Sequence, residues 1–155
     1  MHDLFNPAGL RMLEDKEGAI AYGYVAPRVF YARFVGRMSA ELGTSYVRQL
    51  ELAVGQVPAL AYFADASALR EYDLIARARF ASFVVNRRVK FASLVILTWP
   101  QHDGAAASSF AQTLGEPVDV FTDPLDFELA LGNVAPRVGR AITDLAHVWQ
   151  VHAPA

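Results

Sequence analysis

Apolar and polar positions change their spacing several times along this chain, and each change marks an element. Two apolar-rich runs, Ala19–Val25 and Val29–Val35, flank Ala26-Pro27; Pro27 presets the backbone for a turn, so the pattern predicts an antiparallel hairpin. Ser39 stands where a helix N-cap belongs. Behind it Leu42, Tyr46, Leu50 and Val54 recur on one helical face, and Gly55 is the stop. Ala59–Ala64 and Ser93–Thr98 are short apolar runs of the kind found in strands covered on both faces. Between them Asp73–Lys90 reads as the strongest helix. Asp103–Leu114 is an alanine-rich helix closed by Gly115, and Val118–Phe121 is a short strand. Asp123-Pro124 supplies an N-cap and an N1 proline for a helix to about Leu131, and Ala135–Val151 reads as a last amphipathic helix with Val138, Ile142, Leu145 and Trp149 on one stripe. Residues 1–14 read as a lead-in. A hairpin followed by strand–helix alternation predicts an α/β domain over residues 1–155: a mostly parallel sheet of about five strands, an antiparallel hairpin at its edge, helices packed on it and one extra helix at the end.

The helix from Asp73 has two apolar sides. At 100° per residue Leu74, Ile75, Ala78, Ser82, Val85 and Val89 fall together and are expected to face the core. Phe80, Phe83 and Val84 then form a second stripe bordered by Arg77 and Arg87. Aromatics framed by arginine have the composition of an interface, which points to a protein partner or a homodimer through Phe80, Phe83, Val84 and Arg87. The alternative is intramolecular, with the terminal helix folding back over the stripe.

Composition narrows the possible roles. At 155 residues the chain can bury a core without staples, and its 54% apolar content is somewhat rich, in keeping with a surface that meets a partner. The net charge of −2 and the absence of an uninterrupted basic run argue against phosphate-driven nucleic-acid binding. The absence of cysteine removes thiol nucleophiles, thiolate zinc sites and disulfides. No apolar stretch approaches the ~20 residues of a membrane span, no signal peptide is apparent at Met1–Pro7, and a cytoplasmic protein is expected.

The candidate chemistry gathers near two carboxylates. The strand Leu60–Ala64 ends in Asp65, and Asp73 opens a helix eight residues later, so both are expected on the rim at the carboxyl end of the sheet. Ser67, Tyr72, Asp73, Arg77, Trp99 and His102 would line that rim with Asp65. Each carboxylate also has a local reading: Asp73 as a helix cap accepting the amides of Ile75 or Ala76, Asp65 as the anchor of loop amides around Ala66–Leu69. Trp99 reads rather as a core-edge residue, because its large ring is seldom fully exposed. A small hydrolase or lyase would need Asp65 and Asp73 to work as an acid–base pair, and a divalent metal would need further oxygen ligands such as Asp103. Asp103 is already accounted for as a cap. His147 and His152 fall on different helix faces, and no nucleophile elbow, phosphate loop or dinucleotide glycine pattern appears. No catalytic residue, cofactor or metal is expected.

A hairpin, a helix, an apolar strand ending in Asp65 and a helix opening at Tyr72-Asp73 resemble the STAS domain over roughly Gly18 to Gly132. That is the fold of the sporulation-type anti-sigma factor antagonists and related SpoIIAA-like bacterial proteins. The resemblance implies a non-enzymatic regulatory domain that binds a protein partner at the start of this helix. In the antagonists a serine after the second Asp is phosphorylated to break the complex; here Leu74, Ile75 and Ala76 follow Asp73, so the switch is not expected, with Ser67 the substitute site. The alternative is a binder of an apolar or anionic small molecule in a crevice among Asp65, Tyr72, Arg77, Trp99 and His102.

Overall fold

The computed structural model describes residues 10–98 and 118–135. Among them the chain forms β1 (Arg11–Glu14), β2 (Gly18–Ala26), β3 (Val29–Met38), α1 (Ala40–Gln56), β4 (Leu60–Tyr72), α2 (Leu74–Asn86), a one-turn 3-10 helix (Arg88–Lys90), β5 (Phe91–Leu97), β6 (Asp119–Phe121) and α3 (Pro124–Val134). The strands make one six-stranded sheet in the order β1-β2-β3-β4-β5-β6, antiparallel up to β3 and parallel from there on. Spatial order equals chain order. The expected α/β architecture, with its antiparallel edge and parallel remainder, is present. No described helix is long and apolar enough to cross a membrane.

Local chemistry sets the boundaries. The β2–β3 turn is Pro27-Arg28, with Ala26 paired to Val29, and Arg28 takes a positive φ of 63° that glycine or asparagine would occupy more easily. Ser39 caps α1 by accepting the Leu42 amide at 3.1 Å, and its hydroxyl donates to Asp15 at 2.7 Å. Asp15 in turn accepts the amides of Glu17 and Gly18, so one carboxylate ties the β1–β2 turn to the start of α1. These bonds hold the Asp15 carboxyl below its usual range, the Ser39 hydroxyl first among them.

Alternate positions of each strand face opposite layers. On one face Phe30, Tyr46, Leu50, Tyr62, Phe80 and Leu94 form the larger core under α1 and α2. On the other Tyr31, Phe63, Val95 and Leu97 meet Phe127 and Leu131 of α3. Within the first layer α1 and α2 lie against each other at Gly43 and Ala76: a Cβ built on Gly43 would stand 2.6 Å from the Ala76 methyl. Only glycine permits that approach.

Four expectations need correction. The sheet has six strands, because Arg11–Glu14, read as lead-in, pairs with β2. The second apolar strand starts earlier and runs Phe91–Leu97. β4 does not stop at Asp65 but continues to Tyr72, paired with β3 through Ala68, Leu69, Glu71 and Tyr72 and shifted by two irregularities. Finally, α2 is turned the other way. Ala76, Phe80, Ala81 and Val84 are buried, whereas Leu74 is 77% exposed, Ile75 61%, Val85 47% and Val89 90%, with Ala78 and Ser82 also exposed. Counting apolar positions weights every residue alike, but burial rewards area. The Phe80 ring fills the space between Tyr46 and Tyr62, at centroid distances of 6.4 and 6.3 Å, which five aliphatic side chains on the other side could not match. The predicted helices Asp103–Leu114 and Ala135–Val151 lie outside the described residues, apart from Ala135, which is buried at the end of α3.

Candidate functional site: two carboxylates and the rim of helix α2

Asp65 sits within β4, opposite Arg33 of β3 and Leu97 of β5, on the face that α3 covers. Its side chain is buried and forms an ion pair with the equally buried guanidinium of Arg33. The Ser67 amide donates to Oδ1 at 2.9 Å, the Ser67 hydroxyl donates to the same oxygen at 2.6 Å, and the Tyr31 hydroxyl lies 3.5 Å from Oδ2. Tyr31 is held neutral, its phenol pushed well above the ordinary range first by burial and then by the Asp65 charge. The anchoring of a loop amide expected of Asp65 is thus present at Ser67, but the larger partner is a cation on the neighbouring strand. With two oxygens engaged by four donors the carboxylate is a structural anion. Ser67 is a poor place for phosphate, since the new charge would stand against Asp65.

Asp73 behaves as the local reading requires. Its Oδ1 accepts the amides of Ile75 and Ala76, both at 3.0 Å, and so caps α2. The preceding Tyr72 turns toward the α1/α2 layer, its ring 6.4 Å from that of Phe34. Its hydroxyl is buried with no hydrogen-bond partner among the described residues, and burial pushes the phenol up. Arg77 is half-buried one turn into α2, its amide donating to the Asp73 carbonyl at 2.8 Å.

Asp65 and Tyr72 therefore lie on opposite faces of the sheet. The crevice expected among Asp65, Tyr72, Arg77, Trp99 and His102 does not form around Asp65; Trp99, His102 and Asp103 lie outside the described residues. Nor do the two aspartates share a rim: seven residues of extended chain separate them, and only Asp73 is at the strand's end.

The aromatic stripe is also spoken for within the chain. Phe80 and Val84 belong to the core, Phe83 is half-buried against it, and Arg87 caps the end of α2 with its guanidinium 6.0 Å from the Phe83 ring centroid and 3.8 Å from Glu51 of α1. Phe80 and Val84, expected at a dimer contact, are instead covered by α1 and the sheet.

Sequence reasoning passed over Arg33, although a signal was present: a lone cation in the run Val29–Val35 needs a counter-charge if that run is buried. It also passed over the hydroxyl pair of Tyr46 and Tyr62, which hydrogen-bond to each other at the centre of the larger core. No pattern in the sequence pairs residues on a helix and a strand in this way.

At the carboxyl end of β4 several charged and apolar side chains reach the surface. Arg70 and Glu71 are exposed, Arg37 bridges Glu71 at 3.4 Å and also pairs with Glu17, and Leu74 and Ile75 project from the first turn of α2. A groove of about 640 Å³ lies at the opposite end of the sheet, open to solvent and lined by Tyr24, Val25, Ala26, Pro27, Arg28, Gln56 and Val57. No protein-family model matches the chain, and no curated protein matches it.

Proposed function

We propose that this chain is a STAS-like, non-enzymatic regulatory domain that binds a protein partner at the rim where β4 hands over to α2. The observation that carries this reading is the exposure of Leu74 and Ile75 directly behind the Asp73 cap. Two large aliphatic side chains in water on the first turn of a helix, beside exposed Arg70 and Glu71, have the apolar centre and polar border of a contact surface. The resemblance to the STAS domain rests on a hairpin followed by strand–helix alternation, and the sheet is built in that way, antiparallel first and parallel afterwards. Asp73 contributes by shaping the helix start, and the burial of Asp65 in an ion pair removes it from any role as a base. Because Leu74, Ile75 and Ala76 carry no hydroxyl, the contact is a constitutive one rather than one released by a phosphate at this turn.

A photo-crosslinking residue placed at Ile75 in the native host tests this reading, with one at Leu52 of α1, equally exposed at 61%, as the control. Position 75 is expected to give a discrete protein adduct that Leu74→Arg abolishes. No adduct at position 75, or the same adducts from position 52, would sink it.

A further inference from the structure

The groove between the β2–β3 turn and the end of α1 has walls that are fixed in advance. The Tyr24 hydroxyl donates to the Ala53 carbonyl of α1 at 2.6 Å, and its ring meets Phe30 edge-on at a centroid distance of 5.6 Å, so the ring is held as an apolar wall. Pro27 and Val57 extend that wall. The Arg28 carbonyl accepts the Ala61 amide at 2.8 Å, which pins the turn to the start of β4. At about 640 Å³ the groove falls within the size range of small-molecule sites. Arg28 is the one charged residue in its lining, and residues 24–30 and 55–60 contain no carboxylate. Its side chain is exposed, and its guanidinium has no partner among the described residues. Arg28 also takes a φ of 63°, which glycine or asparagine would hold at less cost, so the turn itself does not call for an arginine. On the other side of the groove Gln56 ends α1, whose last turn carries no basic residue to offset the negative end of the helix.

We propose that this groove binds a small monocarboxylate with an apolar body, of the medium-chain fatty-acid class, its carboxylate on the Arg28 guanidinium and its chain along Tyr24, Pro27 and Val57. Charge complementarity selects the head: a planar guanidinium without a counter-ion matches a carboxylate in a two-point fork. The apolar lining selects the body, since the ring of Tyr24 and the side chains of Pro27 and Val57 give a chain something to cover. The carbonyl end of α1 selects against a second charge, so one carboxylate is accepted and two are not. With the Tyr24 ring and the Arg28 backbone already held, little besides the guanidinium has to be ordered on binding.

Calorimetric titration of the full chain with decanoate, below its micelle-forming concentration, tests the proposal, with decanol, decylamine and decanedioate as comparisons. Decanoate is expected to bind saturably at one site, and each of the other three at least about tenfold more weakly. Arg28→Gly relieves the backbone of the turn, so it should unfold at about the parent's temperature and yet bind decanoate at least about tenfold more weakly. Gln56→Glu adds a carboxylate at an exposed position of the lining and should weaken binding by a few fold. Leu74→Asp, at the far end of the strands, should leave it unchanged. The proposal is overturned by no saturable binding of decanoate, by equal binding of decanol or decanedioate, by an unchanged affinity in Arg28→Gly, or by an equal loss in Leu74→Asp. It is also overturned if a short polyglutamate peptide binds as tightly as decanoate, which would mark an acidic protein segment as the occupant. The crosslink at Ile75 does not depend on these residues, so either result leaves the rim reading to its own test.

Discussion

Asp65 and Asp73 are the same residue eight positions apart on one stretch of chain, yet their surroundings share almost nothing. Asp65 is inside the sheet, facing a buried arginine, with a serine hydroxyl, a serine amide and a tyrosine hydroxyl around it. Asp73 is half-buried at a helix start with two backbone amides to hold. The first is an anion that the fold cannot leave unpaired; the second is a convenience that water could largely replace. What distinguishes them is the partner strand, not anything adjacent in sequence.

That contrast can be broken by substitution. Asp65→Ala leaves a buried guanidinium without its counter-charge and is expected to cost about 3–5 kcal/mol in urea or thermal unfolding, enough to threaten folding. A cost near that of a surface residue would mean that water reaches Arg33. Ser67→Ala removes one donor to the same carboxylate and should cost about 1–2 kcal/mol. Replacing both charges, Arg33→Met with Asp65→Leu, should restore most of what Asp65→Ala loses and come within about 1–2 kcal/mol of the parent. If the double variant is no better than the single one, the pair contributes geometry that apolar packing cannot supply. Asp73→Ala should cost about 1 kcal/mol, and Asp73→Ser, which can still accept an amide, only a few tenths. A larger loss in Asp73→Ser would show that the charge itself matters at the helix start.

The sequence already displayed the parts of the fold that rest on local chemistry. The hairpin around Pro27, the Ser39 cap, the spacing of Leu42, Tyr46, Leu50 and Val54, and Asp123-Pro124 at the start of α3 are each decided within a few residues, and each is found. The features that were misread depend on partners far along the chain. Ala66–Tyr72 looks like a loop because it is polar, and it is extended because β3 offers it a row of backbone groups. Arg11–Glu14 becomes a strand for the same reason, paired with β2. The orientation of α2 was decided by ring volume between Tyr46 and Tyr62, a quantity that periodicity does not contain. Of the site, the cap at Asp73 was legible, whereas the Arg33 pairing of Asp65 and the outward turn of Leu74 and Ile75 were not.

The agreement between strand order and chain order has a consequence for how the molecule comes into being. Each strand pairs with the one before it, so a chain leaving the ribosome never has to wait for a distant segment before its newest strand can dock. Once Tyr72 has emerged, β1 to β4 and α1 have all their strand partners except β5, and the buried Arg33 has already met Asp65. The fold can then grow from its amino-terminal half outward by accretion, one crossover at a time.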